Sequence, residues 1–92
     1  MDFNKALEID PEDAMAYGSR GNTKRKLKQY LEAIADYDKA LEIDPKFTEV
    51  YIMRGIVKAV LKRYKEAIAD YSKALEIDPK RTDVYNLSLI HI

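Results

Sequence analysis

Apolar residues recur with a helical period along most of this chain. Ala33, Ile34, Tyr37, Ala40 and Leu41 fall at i, i+1, i+4, i+7 and i+8. That spacing draws one stripe along a helix of 3.6 residues per turn. Glu32, Asp36, Asp38, Lys39 and Glu42 lie off the stripe and predict an exposed charged face. In the segment before it, Ala14, Tyr17, Gly21 and Lys24 share one flank, with Leu27 at its edge. Breaks are expected around Lys28–Gln29 and Lys62–Arg63, and at each Asp-Pro pair. The pattern predicts helices over about 2–9, 12–27, 30–43, 46–61, 64–77 and 80–90.

The pattern repeats every 34 residues. KALEIDP occurs at Lys5–Pro11, Lys39–Pro45 and Lys73–Pro79. Laying Ala14–Phe47 on Thr48–Arg81 matches 21 of 34 residues, among them Tyr17/Tyr51, Arg20/Arg54, Gly21/Gly55, Leu27/Leu61 and Tyr30/Tyr64. The organisation expected is one domain of repeats over 1–86. It comprises a partial unit (1–13), full units (14–47 and 48–81) and the start of another (82–86).

Each unit reads as two helices. Proline suits the first turn of a helix and aspartate makes a good N-cap. Asp10-Pro11, Asp44-Pro45 and Asp78-Pro79 are therefore expected to close one helix and open the next. Glycine inside a helix costs roughly 1 kcal/mol against alanine, so Gly21 and Gly55 call for a close approach of the paired helix. Ala33 and Ala67 are expected to supply the complementary surface, with Tyr17 and Tyr51 filling the space beside it.

A 34-residue helix–turn–helix unit with these slots resembles the tetratricopeptide repeat. The residues that carry the resemblance are Tyr17, Gly21, Tyr30, Ala33, Tyr37, Ala40 and Pro45. Their counterparts are Tyr51, Gly55, Tyr64, Ala67, Tyr71, Ala74 and Pro79. Pentatricopeptide RNA-binding arrays are similar but normally repeat every 35 residues. Where the family often has an aromatic one turn after the glycine, this chain has Lys24 and Lys58, which implies a looser seam with snorkelling lysines. The resemblance implies an all-α fold, a right-handed α-solenoid of antiparallel helix pairs. It also implies a scaffold that binds a peptide or protein in a concave groove lined by the first helix of each pair.

On those first helices, opposite the flank of Tyr17 and Gly21, lie Met15, Ser19, Asn22 and Lys26. The next unit places Glu49, Met53, Ile56 and Val60 in the same slots, with Ile52 beside them. The first set is mainly polar and the second mainly apolar. The second either packs against neighbouring first helices or lines the groove. If it lines the groove, Ile52, Met53 and Ile56 should be more exposed than Tyr51, Ala67 and Tyr71. Some relatives clamp acidic chaperone tails. Of those slots Asn22 matches one, while Gly18, Met53, Asp83 and Leu87 do not, so no such clamp is expected here.

Composition narrows the chemistry. Sixteen Lys+Arg balance sixteen Asp+Glu, which removes the field expected of a nucleic-acid or acidic-membrane binder. The basic run Lys24–Lys28 reads as a helix end whose cations offset the helix dipole. The alternative is a nucleic-acid module using that cluster as a phosphate patch. There is no cysteine and one histidine, His91, so no catalytic triad or ordinary zinc site can be assembled, and no cofactor is implied. The carboxylates do not converge as acid–base catalysis requires. The chain is therefore expected not to be an enzyme. No apolar run reaches membrane-span length and the start lacks a signal-peptide shape, which favours the cytoplasm without establishing it.

The ends depart from the repeat. Leu87–Ile92 reads as the in-frame translation of a common transposase sequencing adaptor, CTG TCT CTT ATA CAC ATC, and His91 then carries no function. Met1 falls inside an expected helix and reads as an internal start. Cut solenoid ends would leave apolar interfaces open, so marginal stability and head-to-tail self-association are expected. Adaptor-free sequencing of the source DNA is expected to replace LSLIHI after Asn86 and to restore a small residue at the slot of Leu89. Recovery of LSLIHI would refute the adaptor origin.

Overall fold

The computed structural model describes residues 3–81 and 83–86. The expectations for 87–92 and for the first two residues lie outside the described residues. Five helices follow in order: α1 Phe3–Ile9, α2 Ala14–Lys26, α3 Tyr30–Ile43, α4 Thr48–Val60 and α5 Tyr64–Ile77. Residues 83–86 form a further helical turn. The chain divides into two compact units, 1–47 and 48–92. In the first, α2 packs on α3 and α1 on α2; in the second, α4 packs on α5.

Each pair reverses through a three-residue turn held by backbone hydrogen bonds. After α2, Lys28 N–H donates to the Arg25 carbonyl (2.9 Å) and Gln29 N–H to the Lys24 carbonyl (2.8 Å). Lys62 and Arg63 repeat both bonds with Ala59 and Lys58. This is the Schellman closure, which satisfies the last free carbonyls of the helix. It needs a left-handed residue, and lysine supplies it both times, with φ of 62° at Lys28 and 63° at Lys62. A side chain in that region costs roughly 1–2 kcal/mol.

The Asp-Pro pairs do not open the following helices. Asp44 caps the end of α3, its N–H donating to the Ala40 carbonyl at 2.8 Å. Its carboxylate accepts from Lys46 N–H at 3.2 Å, and its carbonyl accepts from Phe47 N–H at 3.2 Å. Asp10 and Asp78 make the same Asx turn. Proline then fits the second position of a β-turn. The carboxylate is occupied by that turn, so α2 and α4 begin about two residues later than the proline rule predicts. Asp13 is the N-cap of α2, accepting from Ala16 N–H at 3.0 Å.

The two glycines mark a close approach, but their partner is not the alanine expected. The ring of Tyr37 lies on Gly21, and that of Tyr71 on Gly55. A Cβ at Gly21 would stand 2.7 Å from Tyr37 Cε1, and one at Gly55 only 2.5 Å from Tyr71 Cε1. Tyr37, Tyr71, Ala33 and Ala67 are all fully buried. Around Tyr71 a core forms from Ile52, Ala59, Ala67, Ala74 and Val84, flanked by Tyr51, Met53, Ile56 and Leu75. Tyr17 and Tyr51 are half-buried.

Because the ring is itself buried, it has nowhere to move. Gly55→Ala is expected to lower stability by about 1–2 kcal/mol, overpacking exceeding the gain in helix propensity. Thermal unfolding measures this; an unchanged or raised midpoint would show that the ring can give way.

Candidate functional site

Two features of the first helices bear on function: a charged seam toward the second helix and an outward face. The seam was not anticipated. Asp36 and Asp70 were expected on an exposed face, yet each is buried, with 4% of its surface accessible. Arg20 grips Asp36 through Nε (2.9 Å to Oδ2) and Nη2 (2.8 Å to Oδ1), and Lys24 Nζ adds a contact at 3.1 Å. Arg54 grips Asp70 in the same way (2.9 and 2.7 Å), with Lys58 at 3.2 Å. Each arginine also lies over the ring of Tyr17 or Tyr51, 5.5 Å from its centre. Lys24 and Lys58 thus occupy the aromatic slot as ion-pair partners, not as a loose edge. A buried carboxylate needs such partners, because an unpaired buried charge is strongly destabilising.

Burial pushes the Asp36 carboxyl up, but the hydrogen bonds and charges of Arg20 and Lys24 outweigh it and hold it below the usual carboxylate value. The same bond raises Arg20. Burial raises the Tyr71 phenol to about 12. It raises Tyr37 as well, against the opposing influence of the adjacent Arg25 guanidinium.

The outward face differs between the units. On α2, Met15 and Lys26 are exposed, and Ser19 and Asn22 are half-buried. Asn22 Oδ1 accepts a hydrogen bond from the Tyr37 hydroxyl at 2.6 Å. On α4, Val60 is exposed, while Met53 and Ile56 are half-buried and packed on the core around Tyr71. Glu49 is exposed and paired with Arg81, which also holds Asp83. Ile52 is a correction. It is only 2% accessible, more buried than Tyr51, and belongs to the core. Ile52 and Ala59 stand seven residues apart on one buried line of α4, which narrows the accessible face to Met53, Ile56 and Val60.

Within the basic run, Lys24 is committed to Asp36, while Lys26 and Lys28 are exposed. Among the described residues, no cluster of three His, Cys, Asp or Glu side chains could hold a metal. Among them, too, no helix is long and apolar enough to cross a membrane.

The depressed Asp36 carboxyl sets a pH dependence. Its contribution is complete above the unfolded value of 3.8 and disappears as pH falls through the lower folded value. Asp36→Asn is expected to cost about 2 kcal/mol at neutral pH, on the scale of hydrogen bonds to charged groups. The variant should also lose less stability than the parent between neutral pH and acid. Denaturant titrations across that range decide it; parallel curves for the two proteins would sink the assignment.

Comparison with known proteins agrees with this geometry. The tetratricopeptide-repeat family profile matches residues 14–47 and 48–81. No curated protein matches the chain. Among solved structures, the first such domain of Spaghetti (RPAP3), bound to the HSP90 peptide SRMEEVD, is similar with a TM-score of 0.93 and 25% identity, covering 97% of this chain and 71% of that one. The TPR2B domain of yeast Sti1, in a complex described as pHsp70, has a TM-score of 0.90 and 28% identity over 97% and 76%. YrrB, described as having an unusual peptide-binding site, has a TM-score of 0.92 and 33% identity over 99% and 47%. With two 34-residue units matched in register and an all-α architecture shared with these solenoid domains, the chain belongs to the tetratricopeptide-repeat family.

Proposed function

We propose that this chain is a protein-interaction scaffold that holds a peptide or protein segment on the outward faces of its first helices and performs no catalysis. The observation that carries the reading is the division of labour within each unit. Gly21, Tyr37, Arg20, Lys24 and Asp36 are repeated identically at Gly55, Tyr71, Arg54, Lys58 and Asp70, and all hold the helix pair together. The outward slots are not repeated: Ser19, Asn22 and Lys26 become Met53, Ile56 and Val60. Side chains that do not serve the pair and differ between units are suited to reading a ligand. The solved relatives support a peptide ligand, since the RPAP3 domain is described with a bound peptide and YrrB with a peptide-binding site.

On this reading α2 contributes Ser19, Asn22 and Lys26, and α4 contributes Met53, Ile56 and Val60. Glu49, held by Arg81, frames one end of the α4 face. A nucleic-acid ligand is not favoured, because Lys24 is engaged by Asp36 and the chain carries no net charge.

Panning a random heptapeptide library against the folded chain, then titrating the enriched peptides, tests the reading. Saturable binding with shallow salt dependence is expected. Failure to enrich any peptide, or binding only to single-stranded RNA with a steep salt slope, would overturn it. Val60→Asp and Lys26→Glu are expected to weaken peptide binding while changing stability by no more than about 0.5 kcal/mol, as exposed substitutions do. Thermal melts beside the titrations separate the two effects.

A further inference from the structure

The charges of the first unit are segregated along its helices, although the whole chain carries no excess of either sign. The run Lys24–Lys28 holds four cations, and no acid follows until Glu32; residues 8–13 hold four carboxylates and no cation. α2 starts beside the acidic segment and ends in the basic run. The two therefore lie at opposite ends of a helix about 20 Å long. The dipole of α2 suits this arrangement, but α3 runs the other way. Lys28 precedes its positive end, and its last turn contains Glu42 and no base. The pair as a whole gains little from the segregation. Lys28 is also held at a φ of 62°, which glycine adopts without steric cost, so the backbone does not call for a charge there. Apolar side chains stand exposed at both ends. Leu27 (62% accessible) and Leu31 (70%) accompany the lysines, and Ile9 (79%) lies between Glu8 and Asp10.

We propose that the basic corner of one copy, formed by Leu27, Lys28 and Leu31, docks on the acidic edge of a second copy, formed by Glu8, Ile9 and Glu12. The occupant is a second copy because each surface finds its complement on this same chain: the opposite charge, and an apolar side chain to cover its own. The contact is heterologous, one surface giving and a different one receiving, so successive copies can add. It is small and therefore transient. It leaves the outward slots of α2 and α4 free. The second unit repeats the corner at Lys62, with Val60 and Tyr64 exposed, but with less free charge. There Arg63 is tied to Glu66, and farther on Arg81 pairs with Glu49 and Asp83.

Sedimentation velocity over a concentration series up to about 1 mM tests this. At low ionic strength the mean sedimentation coefficient should rise with concentration. In about 1 M salt, where the Debye length is about 3 Å, it should fall back toward the monomer value. Association that strengthens with salt belongs to an apolar interface and overturns the proposal. Two double variants follow: Lys28→Glu with Leu31→Glu at the corner, and Glu8→Lys with Glu12→Lys at the edge. Each should weaken association at least about tenfold, because like charges then face each other, while circular dichroism still shows a folded chain. Lys62→Glu should matter less than Lys28→Glu. An equal loss would move the docking surface away from the first unit and overturn the assignment.

Mixing the two double variants decides whether these surfaces meet each other. Each alone should sediment as a monomer, and an equimolar mixture should associate again, native corner to native edge and reversed corner to reversed edge. A mixture that stays monomeric overturns the pairing. Lys28→Gly separates docking from folding. It relieves the turn, so the thermal midpoint should hold or rise while association falls; undiminished association overturns the role of Lys28. A parent chain that is monomeric at every concentration overturns the proposal. If that monomer instead binds a synthetic Glu-Leu heptapeptide, or vesicles containing phosphatidylserine, and the corner variant does not, the corner belongs to a foreign acidic segment or to a membrane.

Discussion

The contact on which each unit depends is an aromatic ring laid on bare backbone. Tyr37 covers Gly21 and Tyr71 covers Gly55, closer than any side chain on the glycine would allow. That approach sets how near the two helices come, and therefore which other groups can meet. At that separation a carboxylate on the second helix comes within reach of an arginine and a lysine on the first. In the first unit it also brings the Tyr37 hydroxyl to Asn22. The ion pair and this hydrogen bond thus depend on one packing distance.

The seam shows how charge can specify a register that apolar packing leaves loose. Arg20 and Lys24 lie one turn apart and converge on Asp36, and their counterparts converge on Asp70. Sliding one helix by a turn would strand a buried carboxylate, which costs far more than displacing a methyl group. The arginine also stacks on the tyrosine one turn earlier. Ring, guanidinium and carboxylate are ordered by the same displacement, so each discourages errors in the other two.

Much of this was legible in the residues. The 3.6-residue stripe located the second helices, and the recurrence of KALEIDP revealed the units. Gly21 and Gly55 announced a close approach, though not that a tyrosine ring would make it, because the nearest small residue was the simpler guess. Asp36 and Asp70 were misjudged because they sit beside solvent-facing acids in the sequence. Recurrence does not separate them, because the exposed Glu32, Glu42 and Lys46 recur 34 residues on just as Asp36 does. Ile52 was misplaced because α4 is buried along two lines, and periodicity cannot show which line a neighbouring element covers. Asp-Pro was misread because the Asx turn and the N-cap draw on the same residue types, and only the next few backbone amides decide between them.

The turns at Lys28 and Lys62 carry a conformational cost that the helices must offset. A glycine there would favour the reversal in the unfolded chain, whereas lysine resists it in the absence of other contacts. The bend is therefore held shut by the pairing of the helices and adds little of its own to the stability of the corner.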